Sequence, residues 1–347
     1  MSTVSKVDIR ALSEKELEVF FQQQDMPAYR GRQVYQWLWK KGVHDFGKMT
    51  NLSQTQRNLL ETHFVINHIA IDRQQKSKDG TLKNAVKLHD GLIVESVLIP
   101  TATRSTACVS SQVGCSLDCT FCATASLKRM RNLNPDEIYD QVVALNQQSH
   151  HYYRRPLSNI VFMGMGEPLM NYKNVLTAIG KITRPEGLGM ASKRITLSTS
   201  GIPKMIEKLA DDAKGFKLAV SLHSARQEIR EKLMPFAQKF PLDALRKALL
   251  YWYDKTKSRI TFEYVVWKGI NDGEEDIKAL VRFCKTIPCK VNIIQYNSIG
   301  KSEFSQAEQA RIQAHITALE HAKIPVTFRQ SRGNDIDAAC GQLANKT

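Results

Sequence analysis

A chain of 347 residues, 42% hydrophobic and 24% charged, has the length of roughly two domains and the composition of a core-forming protein, which excludes a disordered or fibrous one. Its 49 Lys and Arg outnumber 34 Asp and Glu, and the net charge of +15 creates a field that concentrates polyanions such as nucleic acid. No apolar run approaches the roughly 20 residues of a membrane-spanning helix, and the start MSTVSKVDIR lacks the apolar stretch of a secretory signal, so the expected location is the cytoplasm.

The chain opens with helical patterning. LSEKELEVFFQQQ (12–24) and YRGRQVYQWLWKKGV (29–43) repeat apolar residues at helical spacing, and Leu52 to Phe64 is a third candidate. Asp79-Gly80 and Asp90-Gly91 then separate three runs of strand-like composition, HIAIDRQQ, TLKNAVKLH and LIVESVLIP. Asp-Gly suits the tight turns of hairpins, so these runs predict a small antiparallel meander closed by Pro100. A boundary near residue 100 divides an accessory unit, 1–100, from a second unit, 101–347.

Beyond it, strands alternate with helices. Strands are expected at Ala107–Val113, Asn159–Met163, Arg194–Leu197, Phe216–Val220, Ile260–Val266, Lys290–Gln295 and Pro325–Phe328. Helical segments between them include Asp136–Gln148, Leu242–Tyr253, Glu274–Lys285 and Gln306–His321. This alternation implies an α/β class with a parallel sheet, barrel-like or doubly wound. A parallel barrel places its chemistry at the carboxyl ends of its strands. Cys115 to Cys122, the Gly164-Met165-Gly166-Glu167 turn, Ser198, Ser221, His223, Asn297 and the segment holding Cys340 all fall at such ends.

Three of the seven cysteines, Cys115, Cys119 and Cys122, are spaced C-x3-C-x2-C within eight residues. One compact loop then delivers three thiolates to one inorganic centre. Structural zinc and ordinary iron-sulfur clusters are closed by four protein ligands, so a trio leaves a metal position open for another molecule. Spacing alone also allows zinc completed by a distant His, or buried thiols in a chance arrangement. The turn MGMGEP (163–168) lets backbone approach a ligand, with Glu167 as an acceptor for an ammonium group, although Gly-Glu-Pro also suits an ordinary strand-to-helix turn.

C-x3-C-x2-C with Phe121 before the last Cys, following a strand that opens a βα barrel, resembles the radical S-adenosylmethionine (SAM) superfamily. That resemblance implies a partial (βα)6-type barrel in which the three cysteines hold a [4Fe-4S] cluster. SAM chelates the fourth iron through its amino and carboxylate groups and is cleaved to a 5′-deoxyadenosyl radical. ACVSSQVGC before the cluster, SLHS at 221–224 and RGNDIDAACGQL near the C-terminus resemble the RlmN/Cfr family of RNA adenine methyltransferases over nearly the whole chain.

By this resemblance Cys340 is S-methylated by a first SAM, and the radical from a second converts that methyl into a species that adds to an adenine ring carbon. Cys108 resolves the covalent adduct, leaving a Cys108–Cys340 disulfide that requires external reduction. Glu95, in VESVLIP, matches the family's proton-abstracting glutamate, although strand patterning alone reads it as an exposed position. Gly166, Glu167, Ser198, Ser221, Leu222, His223 and Asn297 match the SAM contacts. Pro168 and VESVLIP look like the C2-methylating branch. One departure is Ala125, where the family pattern has a Gly.

The implied substrates are an adenosine of large-subunit (23S) ribosomal RNA and the adenosine beside the anticodon in transfer RNA. An electron donor such as a flavodoxin-type reductase system, a monomeric state and no membrane association are expected with them, and residues 1–100 become an RNA-binding accessory unit. Lys128, Arg129 and Arg131 beside the cluster loop, Arg154 and Arg155, and Arg30, Arg32, Lys40 and Lys41 are candidate phosphate contacts. Among the interleaved aromatics Tyr29, Tyr35, Trp37 and Trp39, helical spacing favours structural roles over base stacking. The alternatives are a C8-methylating relative that confers antibiotic resistance, a methylthiotransferase, and a non-catalytic Fe-S RNA-binding protein. A methylthiotransferase needs a second cysteine trio, which Cys284 and Cys289 do not make.

Overall fold

The computed structural model describes residues 6–212, 215–301 and 303–345, so the first five residues of the polar start lie outside it. The first helix, α1 (Glu14–Gln23), begins at a reciprocal cap: Glu16 N–H donates to Ser13 Oγ at 3.2 Å and Ser13 N–H donates to Glu16 Oε2 at 2.6 Å. The second, α2 (Tyr29–Trp39), crosses it at Gly31, where an added Cβ would lie 2.4 Å from the Glu18 nitrogen; only glycine allows the two backbones to meet so closely. Ser53 and Gln56 repeat the capping box at α3 (Gln54–His63).

Among the described residues, ten strands form one continuous sheet in chain order. The meander is β1 (Ala70–Lys76), β2 (Leu82–Lys87) and β3 (Ile93–Pro100), antiparallel throughout. The barrel strands are β4 (Ser105–Cys108), β5 (Asn159–Phe162), β6 (Ile195–Thr199), β7 (Lys217–Ser221), β8 (Ile260–Val265), β9 (Cys289–Ile294) and β10 (Val326–Arg329). All of their pairings are parallel, and helical crossovers join each to the next, which is the partial barrel expected. Although β3 ends at Pro100, it pairs antiparallel with β4 directly after it, so meander and barrel share a single sheet.

The run Ala107–Val113, expected as one strand, is broken. Val109 N–H still donates to the Val161 carbonyl of β5 at 3.1 Å, and the ladder ends after it: Ser110 Oγ donates to the Glu95 carbonyl at 2.6 Å, and Ser111 N–H donates to the Met165 carbonyl at 2.8 Å. Gln112–Val113 then pairs antiparallel with Arg131–Asn132. The Ser110 hydroxyl and the Ser111 amide thus bond to backbone of other segments, and the barrel ladder ends here.

Helix α4 (Pro135–Tyr153) carries the N-terminal helices. Arg10 is buried between Asp140 at 2.7 Å and Asp136 at 3.1 Å, and the Trp39 ring packs edge-on against Tyr139 at 5.3 Å. Lys181 lies over the Tyr35 and Trp39 rings at 4.2 and 4.1 Å, where burial lowers its pKa to about 8, helped by Arg184. Tyr35 and Trp39 are therefore joints between layers. Among the described residues no helix is long and apolar enough to cross a membrane.

Candidate active site

The carboxyl ends of the barrel strands surround a cavity of about 1040 Å³, counting its solvent mouth, and Cys115, Cys119 and Cys122 line it together. Their loop is clamped from two sides. Thr120 N–H donates to the Leu233 carbonyl at 3.0 Å and Ala123 N–H donates to the Gly341 carbonyl at 2.7 Å. Phe121 turns its ring against His223 at 4.8 Å and Trp267 at 5.0 Å. Ala125 closes the loop in a short 3-10 turn, with its N–H donating to the Cys122 carbonyl at 3.2 Å.

Among the described residues no three His, Cys, Asp or Glu converge on one ion. A cubane cluster asks for something else, since each thiolate binds a different iron. Burial raises the Cys115 thiol pKa to about 11 and the Cys119 thiol well above its ordinary value. Such thiols yield thiolates when a cationic centre takes them as ligands.

Opposite the cysteines, Gly166 adopts φ +94°, and a Cβ there would lie 2.5 Å from the Gln112 Cβ. Gly166→Ala is expected to cost about 2–4 kcal/mol, read from the denaturation midpoint, because left-handed backbone strain adds to the clash. Glu167 is buried and holds the turn: Oε1 accepts from Leu169 N–H at 3.0 Å and Oε2 accepts from Ser200 N–H at 2.8 Å. Burial raises its pKa against these hydrogen bonds, and each oxygen keeps acceptor capacity for a ligand.

Ser198 and Ser221 end adjacent strands at the cavity wall. His223 has φ +56°, and its Nδ1 accepts from Val265 N–H at 3.2 Å, which leaves the proton on Nε2 as a donor. Burial, with help from Arg230, lowers its pKa to about 3, so the ring is neutral at physiological pH. The unfolded chain takes up a proton near pH 6.5 that the folded ring refuses until about 3. Stability should therefore fall with pH through that window by up to about 1.4 kcal/mol per unit, and His223→Asn should flatten the slope.

Leu222 departs from expectation. Its side chain is fully buried in the core and does not line the cavity, and its N–H donates to the Glu263 carbonyl at 3.0 Å. Asn297 donates from Nδ2 to the Cys340 carbonyl at 3.3 Å, while its buried Oδ1 has no partner. An unsatisfied acceptor beside three thiols, a glycine-backed carboxylate and a neutral imidazole donor fits a cluster with a bound nucleoside-amino acid such as SAM.

Cys340 also lines this cavity, on the segment that follows β10. Its side chain is exposed at this cavity, and packing around the thiol raises its pKa while the Arg329 guanidinium lowers it. Cys108, at the end of β4, is buried beyond the cavity wall. Its thiol is raised by burial and then by the neighbouring Cys340 sulfur, and Arg329 again opposes. Both cysteines are free thiols.

Glu95 is where patterning failed. It is 2% exposed, not a solvent-facing strand residue, and it lies outside the large cavity. Lys83 Nζ approaches Oε1 at 3.2 Å, and Oε2 accepts from Ala344 N–H at 2.8 Å and Asn345 N–H at 3.2 Å. The structure also adds residues that sequence reasoning missed. Glu263 lines the cavity, bonded to Asn292 at 2.9 Å and paired with Arg329 at 3.3 Å. Arg230 is buried, donating to the Ser200 carbonyl at 2.6 Å with Nε and Nη1 unpartnered. None lies in a motif of its own; the only signal is a charged residue within a barrel strand or beside SLHS.

Several candidate RNA contacts are already engaged. Arg131 binds Asp90 and Glu137, both at 2.7 Å, and Arg155 donates to Ser105 Oγ at 3.0 Å and to the carbonyls of Ala102 and Thr101. Both guanidiniums brace loops. Arg32 pairs with Glu14 and Glu18 at 3.1 Å each. Lys128 and Arg129 remain exposed beside the mouth, next to exposed Met130, and Trp37 is covered by Lys41 at 3.3 Å.

Comparison with known proteins agrees with this geometry. The Radical SAM superfamily model matches residues 109–284, and the model of the ribosomal RNA large subunit methyltransferase N-terminal domain matches residues 7–66. A protein of Christiangramia forsetii named probable dual-specificity RNA methyltransferase RlmN is 66% identical over 342 residues, 99% of this chain and 97% of its own. A dual-specificity RNA methyltransferase RlmN of Desulfotalea psychrophila is 41% identical over 345 residues, 98% of this chain and 95% of its own. The crystal structure of a radical SAM methyltransferase from Sphaerobacter thermophilus superposes with a TM-score of 0.91 at 36% identity, covering 98% of this chain and all of that one. Sulfur trio, barrel and N-terminal domain agree along the whole length, and the chain belongs to the RlmN family of radical SAM RNA methyltransferases, which use a [4Fe-4S] cluster and SAM.

Proposed function

We propose that this enzyme methylates C2 of adenosine in large-subunit ribosomal RNA and in transfer RNA beside the anticodon, through a methyl group carried on Cys340. The observation that carries this reading is Cys340 in the wall of the cysteine-lined cavity, with Cys108 as its neighbour behind the wall. The carbon between two ring nitrogens is electron-poor and does not attack an electrophilic methyl group, so direct transfer from SAM fails and a carrier thiol is needed.

When bound, the cluster and SAM supply one-electron cleavage and the methyl group. Cys115, Cys119 and Cys122 would ligate the cluster. Gly166 and Glu167, with Ser198, Ser221, His223 and Asn297, would orient SAM, and Leu222 would contribute backbone only. Glu95 would accept the proton leaving the adenine carbon, and the Cys108 thiolate would attack the Cys340 sulfur to free the product, leaving a disulfide for reduction. A flavodoxin-type system would supply electrons to a monomer in the cytoplasm. Residues 1–100 and exposed Lys128 and Arg129 would hold RNA, with the adenosine unpaired or flipped out.

Digestion of RNA after reaction with the reconstituted enzyme tests the reading. Chromatography should show 2-methyladenosine from both RNA classes. 8-Methyladenosine would instead make it the C8-methylating relative, and no methylated adenosine would remove the proposal.

A further inference from the structure

Glu95 has a partner that its assigned role does not account for. Lys83 on β2 faces Val97 across the antiparallel ladder, while Glu95 faces Ala85, so Lys83 and Glu95 are diagonal neighbours on one face of the sheet. Both side chains are out of water, 5% and 2% exposed, with Nζ 3.2 Å from Oε1. Lysine and glutamate are rarely buried unless paired, and removing one partner of such a pair leaves an uncompensated charge. Among the described residues no other Lys, Arg or His lies within ion-pair distance of Glu95.

The same two side chains grip the segment that carries Cys340. Lys83 Nζ donates to the Asp337 carbonyl at 3.4 Å on one side of Cys340, and Ala344 and Asn345 amides donate to Glu95 Oε2 on the other. The division between the oxygens matters. Oε1 faces an ammonium on the neighbouring strand, whereas Oε2 faces the Ala344 and Asn345 amides, four and five residues beyond Cys340.

We propose that Lys83 is a positioning residue for proton abstraction: it supplies the counter-charge of Glu95 and holds Oε1, so that Oε2 is the oxygen presented to the adenine carbon once the Ala344–Asn345 amides give way. This inference rests on the reading of Glu95 as the base. It assigns Lys83 no part in SAM cleavage or in methylation of Cys340.

The test is a single-turnover comparison of native, Lys83→Met, Lys83→Arg and Glu95→Gln enzymes, all reconstituted with cluster and given SAM, reductant and RNA. Three quantities are followed: Cys340 methylation by mass, 5′-deoxyadenosine release, and decay of the covalent RNA-enzyme adduct. Lys83→Met should leave the first two within about twofold of native and slow adduct decay roughly ten- to a hundredfold, with Lys83→Arg recovering most of the loss.

The double variant K83M/E95Q, which leaves no buried charge behind, keeps the test open if Lys83→Met fails to fold. It should decay no more slowly than Glu95→Gln alone, because Lys83 acts through Glu95. Native-rate decay in Lys83→Met while Glu95→Gln stalls would overturn the inference and leave Glu95 as base. Equal loss of all three quantities in Lys83→Met, or additive slowing in the double variant, would overturn it too. Native-rate decay in Glu95→Gln would remove the base assignment itself.

Discussion

Cys119→Ala is expected to remove the cluster, and with it SAM cleavage and RNA methylation, lowering activity by more than about a hundredfold while leaving the fold intact. Cys119 lies in the middle of the trio, and Cys115 and Cys122 are the other two thiols of its loop. Two thiolates do not hold a cubane in place of three. The fold should survive because the loop is clamped by backbone: Thr120 to Leu233 and Ala123 to Gly341 are bonds that the substitution does not touch. Iron and sulfide analysis after anaerobic reconstitution, alongside a circular dichroism melt, checks both halves. Native iron content or a collapsed melt would each contradict the expectation.

Cys108→Ala should have the other large effect, with a different signature. Cys340 methylation and SAM cleavage should continue, but the RNA should remain covalently bound and multiple turnover should fall by at least about 10³-fold, because the attacking sulfur is gone. Burial holds the Cys108 thiol above its ordinary pKa, against smaller opposing pulls from a Met163 backbone hydrogen bond and from Arg329. Thiolate therefore becomes more abundant as pH rises. In the native enzyme, adduct resolution should accelerate between about pH 7 and 9, towards tenfold per unit, and Cys108→Ala should show no such limb. Denaturing gels with labelled RNA read the adduct directly. Free RNA released at the native rate by Cys108→Ala would contradict the assignment.

What could be read before the structure depended on how local the signal was. Helix Glu274–Lys285 was legible to the residue, because three acidic residues open it and Arg282 and Lys285 close it, matching the helix dipole. The cysteine trio and the MGMGEP turn were legible because each is a contiguous motif at a strand end. The run Ala107–Val113 misled because Val109 and Val113 extend its strand-like pattern past Cys108, whereas the bonds that end the strand run from Ser110 to Glu95 on β3 and from Ser111 to Met165 beyond β5.

Glu95 misled for a related reason. Alternation along β3 says nothing of a segment some 250 residues later that folds over it, nor of Lys83 across the register. Arg131 and Arg155 read as phosphate contacts because most of their partners lie elsewhere: Asp90 in the meander for Arg131, and Thr101, Ala102 and Ser105 for Arg155. Charge was visible in the chain; its neutralisation was tertiary.

Cys115, Cys119 and Cys122 are expected to hold a cluster with one iron open to SAM. The most direct measurement is electron paramagnetic resonance of the anaerobically reconstituted, reduced protein with and without SAM. About four iron and four sulfide per chain are expected, with a signal that shifts when SAM is added, because SAM takes the iron that lacks a cysteine. A protein that carries only zinc or no metal and still methylates RNA would contradict it.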